Sequence, residues 1–209
     1  MPSDAPGAIG AAVEALWAGG IVGLPTETVY GLCVLPQDAA LAAVMSAKRR
    51  SEEKGIALMV DSMAQVEALA VLPDAARRLA EHFWPGPLTL VLSPLVGVAL
   101  PDLLYGATGS LGFRMPDHPT PRALAARLGP VAVTSANISG QPDARSAAEL
   151  IASIGHSLAL VLDGGPARGG VPSTVVEFDT GGQPRILRAG AIDAVSIQQV
   201  ARDTKGSAG

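Results

Sequence analysis

Lys48, Arg50 and Lys54 place three cations within the short segment KRRSEEKG. Farther along come Arg114 in GSLGFRMP, Ser135 and Asn137 in VTSANISG, Ser173 in VPSTVVEF and Arg188 in RILRAG. Cations and small hydroxyls beside Gly and Pro, at the ends of apolar runs, suit a polyanionic small molecule. A triphosphate carries about four negative charges; Arg grips phosphate oxygens bidentately and Lys acts as a compact point charge. A nucleoside triphosphate is therefore the first candidate ligand. The competing reading of KRRSEEKG is a solvated helix end whose cations favour the C-terminal dipole.

Each remaining segment carries a similar pair of readings. LPTETVYG offers the hydroxyls of Thr26, Thr28 and Tyr30, with Glu27, directly after a buried strand. Ligands of open sheets bind outside strand ends, but a polar turn would use the same residues. Arg114, with Ser110 before it, lies in an apolar strand and needs an acidic partner or a ligand. VAVTSANISG delivers Thr134, Ser135, Asn137 and Ser139 before Gly140. Such donors fit the hydroxyls and phosphates of a nucleotide, or an Asx/Ser turn that satisfies its own backbone. Gly169 and Gly170, ahead of Ser173 and Thr174, would let backbone approach a ligand closely. No GxxxxGK[ST] or post-strand GxGxxG is present. His82, His118 and His156 are scattered, and Cys33 reads as a core residue.

These segments need a scaffold of alternating elements. Ile9, Val13, Leu16 and Trp17 fall at helical spacing before Gly19-Gly20. Strands are predicted over 21–24, 29–34, 56–60, 89–92, 111–115, 131–134, 158–162, 175–178 and 185–187. Helices are predicted over 38–48 (capped by Asp38), 63–70, 73–82, 118–128, 147–154 and 194–201. Interleaving of this kind predicts an α/β or α+β fold. Several connections are too short for a helical crossover, so the sheet is expected to be mixed parallel and antiparallel, twisted, with helices packed around it. One domain is expected over residues 7–200, with loose ends at 1–6 and 201–209.

Composition narrows the function classes. The 209-residue chain has net charge −4, so the cations above are not a general basic coat. Hydrophobic residues reach 48%, enough for a sizeable core, while aromatics at 3% count against a stacking platform for single-stranded nucleic acid. A single cysteine rules out an intrachain disulfide and a zinc site built of cysteines. The start MPSDAPGAIG lacks a signal-peptide pattern, and no uninterrupted apolar run of membrane-spanning length occurs. A cytoplasmic location with no membrane contact is the expectation.

In their order and spacing, GGIVGLPTETVYGL, KRRSEEKG, WPGPLTLVL, GFRMPDHP, TSANISG, PSTVV and ILRAG resemble the YrdC-like family of threonylcarbamoyl-AMP synthases, in its short single-domain bacterial form. The resemblance implies a twisted sheet around a basic concave cavity. It implies synthesis of threonylcarbamoyl-AMP and pyrophosphate from L-threonine, bicarbonate and ATP, a nucleotidyl transfer with Mg2+ bound alongside ATP. It further implies tRNA-modification transferase proteins as partners, acting on the adenosine next to the anticodon, and leaves room for tRNA or double-stranded RNA contact. Carried over by position, Lys48, Arg50, Lys54, Asn137, Arg145 and Arg188 are implied at ATP, with charge stabilisation by the first three. Thr26, Ser135 and Ser173 are implied at threonine. Tyr30, Met59, Ser110, Arg114 and Ser139 are placed at the cavity without a fixed role, and no protein metal ligands are implied. Ser51, Gly55 and Met59 depart from the residues many relatives carry, the last replacing a threonine-contacting His. The alternatives are an RNA-binding module of this fold and a related carbamoyl-adenylate former with a different substrate.

Overall fold

In a computed structural model, which describes residues 1–49, 55–106 and 109–202, nine strands form one sheet. In chain order they are β1 (Val22–Leu24), β2 (Gly31–Val34), β3 (Ala57–Met59), β4 (Leu88–Leu92), β5 (Leu111–Arg114), β6 (Val131–Ser135), β7 (Leu160–Val161), β8 (Thr174–Phe178) and β9 (Pro184–Arg188). The helices are α1 (Ala8–Trp17), α2 (Asp38–Lys48), α3 (Met63–Glu67), α4 (Asp74–Phe83), α5 (Pro119–Leu128), α6 (Ala147–Ile154) and α7 (Ala194–Arg202). The strand order is β7-β1-β2-β6-β3-β5-β4-β8-β9. The β1/β7, β3/β5 and β4/β8 pairs are parallel and the other five are antiparallel, so the sheet is mixed as expected.

Period-two alternation divides each strand between two faces. Leu32, Val34, Leu58, Leu88, Leu90, Leu92, Leu111, Phe113, Ala132 and Val176 pack with Leu41 and Val44 of α2, Leu79 of α4, Leu150 of α6 and Ile197 of α7. Val22, Leu24, Cys33, Met59, Val131 and Val133 point the other way. They pack with Ala12, Val13 and Leu16 of α1 and Leu124 and Ala125 of α5. The first face is covered along its length. On the second, α1 and α5 cover the half around β1, β2 and β6, and the half formed by β3, β5, β4, β8 and β9 is left open to the cavity described below.

Three details differ from the sequence reading. Trp17 is 68% exposed, because the buried face of α1 is set by Ala8, Ala12, Val13 and Leu16, and Trp17 lies half a turn away from Ala8. Gln37, not Asp38, is the N-cap of α2; Asp38 occupies the first turn, where a carboxylate meets the positive end of the dipole. Residues 1–6, expected to be loose, begin with an ordered pairing: Ser3 N donates to Asp163 O at 2.7 Å and Asp163 N to Met1 O at 2.8 Å, beyond the end of β7. At the other end, 201–202 complete α7, and 203–209 lie outside the described residues.

Candidate functional site

The open half of the second face forms a cavity of about 600 Å3. Alternation builds its floor. Ala57 and Met59 of β3, Gly112 and Arg114 of β5, Thr89 and Val91 of β4, and Val175 and Glu177 of β8 face it, while their neighbours face the core. Gly112 leaves open floor: a Cβ there would sit 3.5 Å from the Ala57 Cβ. Arg185, Leu187 and Arg188 of β9 form one wall. The turn after β1, with Thr26 and Thr28, forms another, and Thr134 and Ser135 at the end of β6 lie beside it.

The turn after β1 is held by Thr26. Its Oγ1 donates to Val29 O at 2.6 Å and accepts from Thr28 N and Val29 N, each at 3.2 Å, so the hydroxyl is committed to its own turn. A second clamp comes from the segment before β8, where Gly169 N donates to Glu27 O at 2.9 Å and Gly170 N to Thr28 O at 2.8 Å. Tyr30 borders the cavity at the start of β2, while its side chain is buried with Leu32 and Val34 on the core face. Its hydroxyl engages Gly165 O at 2.7 Å and Asp163 Oδ1 at 3.1 Å and accepts from Gly164 N. Burial, with smaller contributions from Asp163, pushes this phenol above its ordinary value.

Arg114 has the acidic partner that one of its two sequence readings required, and it also faces the cavity. Its Nη2 donates to Glu27 Oε1 at 2.6 Å and to Thr28 Oγ1 at 3.0 Å, its Nε donates to Gly86 O at 3.3 Å, and the residue lines the cavity. Across the floor, Ser173 Oγ lies 2.8 Å from Thr89 Oγ1 and accepts from Arg188 Nη2 at 3.0 Å. Arg188 also donates twice to Ser173 O, at 2.8 and 3.2 Å. Gly190 of the RAG motif makes this junction possible, since a Cβ there would meet Ser173 C and Thr174 N at 2.4 Å. Burial lowers the affinity of Arg188 for its proton, Asp143 opposes that and Arg114 reinforces it; a guanidinium stays charged throughout.

The lining thus carries Arg114, Arg185 and Arg188 against Asp143 and Glu177, with Arg185 paired to Glu177. Among the described residues of the lining, positive charge exceeds negative by one. Thr26, Ser135 and Ser173 reach the cavity, as do Tyr30, Met59, Ser110, Arg114 and Arg188. Lys48, Asn137, Arg145 and Ser139 do not line it. Lys48 is 2% exposed, and its Nζ donates to Asn137 O at 2.8 Å, to Asn137 Oδ1 at 2.9 Å and to Ser135 O. The solvated helix end is therefore wrong for this lysine, whose ammonium supports the loop that carries Ser135 to the cavity. Ser135 Oγ donates to Asn137 Oδ1 at 2.7 Å and Asn137 Nδ2 to Gln141 O at 2.6 Å, so the loop is largely satisfied by itself. Ser139 is exposed, turned out by the same loop, and contributes its backbone N–H to Lys48 O at 2.9 Å. Arg145 is exposed and packs over Gly170, whose missing Cβ would sit 2.9 Å from the guanidinium. Arg50, Ser51 and Lys54 lie outside the described residues.

Thr89, Asp143, Glu177 and Arg185 were not singled out from sequence. The usable signal was alternation: within LTLVL, TVVEF and PRILR the residues opposite the core positions are those facing the cavity.

The family model Sua5_yciO_yrdC, described as "Telomere recombination", matches residues 14–190. The chain belongs to the Sua5–YciO–YrdC family. A threonylcarbamoyl-AMP synthase of Chromohalobacter salexigens is 42% identical over 174 residues, 81% of this chain and 92% of the relative. Among solved structures, Pyrococcus abyssi Sua5 complexed with L-threonine matches with TM-score 0.86 and 35% identity, covering 92% of this chain and 57% of that one. E. coli YciO matches with TM-score 0.77 and 26% identity over 88% of this chain and 90% of its own. No helix among the described residues is long and apolar enough to cross a membrane.

Proposed function

We propose that this member of the Sua5–YciO–YrdC family is a threonylcarbamoyl-AMP synthase, an enzyme that joins L-threonine, bicarbonate and ATP into L-threonylcarbamoyl-AMP, releasing pyrophosphate and water. The observation that carries the reading is the convergence of Arg114, Ser135, Ser173 and Arg188 on one cavity, in a chain whose fold matches that of the threonine-complexed P. abyssi protein.

The threonine amine first captures bicarbonate carbon as a carbamate, with loss of water. A carbamate oxygen then attacks the α-phosphorus, the bond to the bridging oxygen breaks, and pyrophosphate departs with its electron pair. No side chain is required as a covalent nucleophile, so the protein's part is positioning and charge stabilisation. In this reading Arg114 takes the threonine carboxylate and Ser173 and Ser135 supply hydroxyls to the amino acid. Thr26 shapes the turn beside it, since its own hydroxyl is committed. Met59, opposite Arg114 in the β3/β5 register, gives an apolar surface where many relatives have His. Arg188, with Arg50, Lys54 and the Asn137 loop, holds the triphosphate, and Arg145 borders that end.

When bound with ATP, Mg2+ would supply neutralisation of phosphate charge. Among the described lining residues Asp143 is the carboxylate outside an ion pair, and it would meet such a metal through water. The adenylate is an activated carbamoyl donor, and tRNA-modification transferases acting on adenosine are the proposed recipients.

The deciding experiment incubates the purified chain with ATP, bicarbonate, Mg2+ and each of several amino acids. Pyrophosphate and the adenylate are measured by mass spectrometry. Threonine-dependent formation of both supports the reading; pyrophosphate release indifferent to the amino acid defeats it.

A further inference from the structure

Glu27 does not line the cavity, yet its side chain is only 17% exposed and its Oε1 lies 2.6 Å from Arg114 Nη2. Its second oxygen, Oε2, is buried without a hydrogen-bond partner among the described residues. An Arg–carboxylate pair built for stability alone would close both prongs of the fork, and a buried acceptor left open is costly. Here the grip is one-sided. Glu27 Oε1 and Thr28 Oγ1 both take Nη2, Gly86 O takes Nε, and no described residue accepts from Nη1. The turn carrying Glu27 is itself fixed, because its carbonyl accepts from Gly169 N at 2.9 Å and a Cβ on Gly169 would come within 3.0 Å of that oxygen.

We infer that Glu27 is a positioning residue for substrate binding: its one-sided bond to Arg114 holds the guanidinium rigid with the Nη1 edge turned to the cavity, ready for the carboxylate of the amino acid. The inference rests on the proposed synthase reading only for the identity of that carboxylate. The physical gain is pre-organisation. A long, rotamer-rich cation fixed before binding loses little freedom when the ligand arrives. An acceptor at Oε1 is sufficient for this, and the open Oε2 is the cost of gripping from one side.

The test compares the full chain with Glu27→Ala, Glu27→Gln and Arg114→Lys, by threonine titration of pyrophosphate release, by ATP binding, and by 15N NMR of arginine side chains. The Arg114 Nε–H signal is identified by its loss in Arg114→Lys. In Glu27→Ala the threonine concentration for half-maximal rate is expected to rise at least about tenfold, the loss of one charge-assisted hydrogen bond. ATP affinity should hold and the Arg114 signal should lose its restricted rotation. Glu27→Gln, whose amide oxygen can accept in place of Oε1, should stay within about threefold of the parent on the same scale. Equal damage to ATP and threonine binding in Glu27→Ala, or a Gln variant as impaired as the Ala variant, overturns the inference. If the parent protein shows no threonine-dependent turnover, the synthase reading fails on its own. The NMR comparison still decides the positioning role, and an Arg114 side chain as rigid in Glu27→Ala as in the parent refutes it.

Discussion

The Lys48 ammonium sits beneath Asn137 and accepts nothing from it; it donates to both the carbonyl and the side-chain oxygen of that residue, at 2.8 and 2.9 Å. A lysine that is 2% exposed thus serves as the internal strut of the loop that presents Ser135 to the cavity. Replacing it by Met keeps the aliphatic stem and takes this donor from the Asn137 carbonyl, while Asn137 Oδ1 keeps its bond from Ser135 Oγ. Lys48→Met should destabilise the fold by about 2–3 kcal/mol, the scale of a lost hydrogen bond to a charged group. Urea denaturation measures this. Threonine and ATP binding should both weaken, because the strut serves the whole loop.

Arg188 acts on Ser173 from two directions, through the carbonyl and the hydroxyl. Arg188→Lys retains the charge and cannot reproduce the planar fork. We expect it to lose about tenfold or more in ATP affinity, one bidentate contact's worth, with little rescue relative to Arg188→Ala. Isothermal titration with a non-hydrolysable ATP analogue distinguishes the two.

Glycine placement gives a paired prediction. At Gly190 a methyl group would meet the backbone of Ser173 and Thr174 at 2.4 Å, whereas at Gly10, inside α1, it would meet nothing within 4 Å. Gly190→Ala should cost about 3 kcal/mol through forced backbone displacement. Gly10→Ala should instead stabilise by about 0.5–1 kcal/mol by restricting the unfolded chain. Thermal melts of the two variants should move in opposite directions.

His118 links the site's scaffold to pH. It is the N-cap of α5, and its Nδ1 accepts from Thr120 N at 3.2 Å, a bond only the neutral ring can take. Burial holds its proton affinity below the ordinary imidazole value, with Glu27 and Asp117 opposing and Arg168 reinforcing. A group whose folded pKa is depressed contributes stability above its unfolded value, near 6.5, and loses it as the pH falls below that value. Stability should therefore decline on acidification through that range. In His118→Asn, which caps without titrating, this part of the decline should be absent when unfolding is followed by circular dichroism across pH.

The cysteine offers a check on the core. Cys33 is fully buried in β2 and burial pushes its thiol well above the ordinary range. A thiol reagent should leave the native protein unmodified at pH 8 and label it stoichiometrically in denaturant, with the rate reporting opening of the β1/β2/β6 half of the sheet.

Much of the fold was legible because buried strands such as GLCV and VAVTS are short apolar runs between turn signals, and α6 was readable to its last residue, Ile154. Strand order was not legible, since pairing β6 between β2 and β3 depends on contacts between residues as far apart in the chain as Gly31 and Ser135 or Ala57 and Val133. The site divided along the same line. Arg114 and Ser173 announced themselves as polar residues in apolar runs. The role of Lys48 was hidden, because a charged residue at a helix end reads as solvated until the loop that buries it is known. Edge pairing by Met1 and Ser3 was equally hidden, being made by backbone groups that every residue possesses.

The strand order has a consequence for how the molecule comes into being. Thr26 precedes nearly all of the chain and Arg188 follows nearly all of it, while the strands between them in the sheet come from the middle. Loop-closure entropy over such separations must be met before any cavity wall touches another. The protein should accordingly fold on the slower side for its size, and ATP protection should appear only in the final kinetic phase, together with docking of the β8/β9 hairpin against β4.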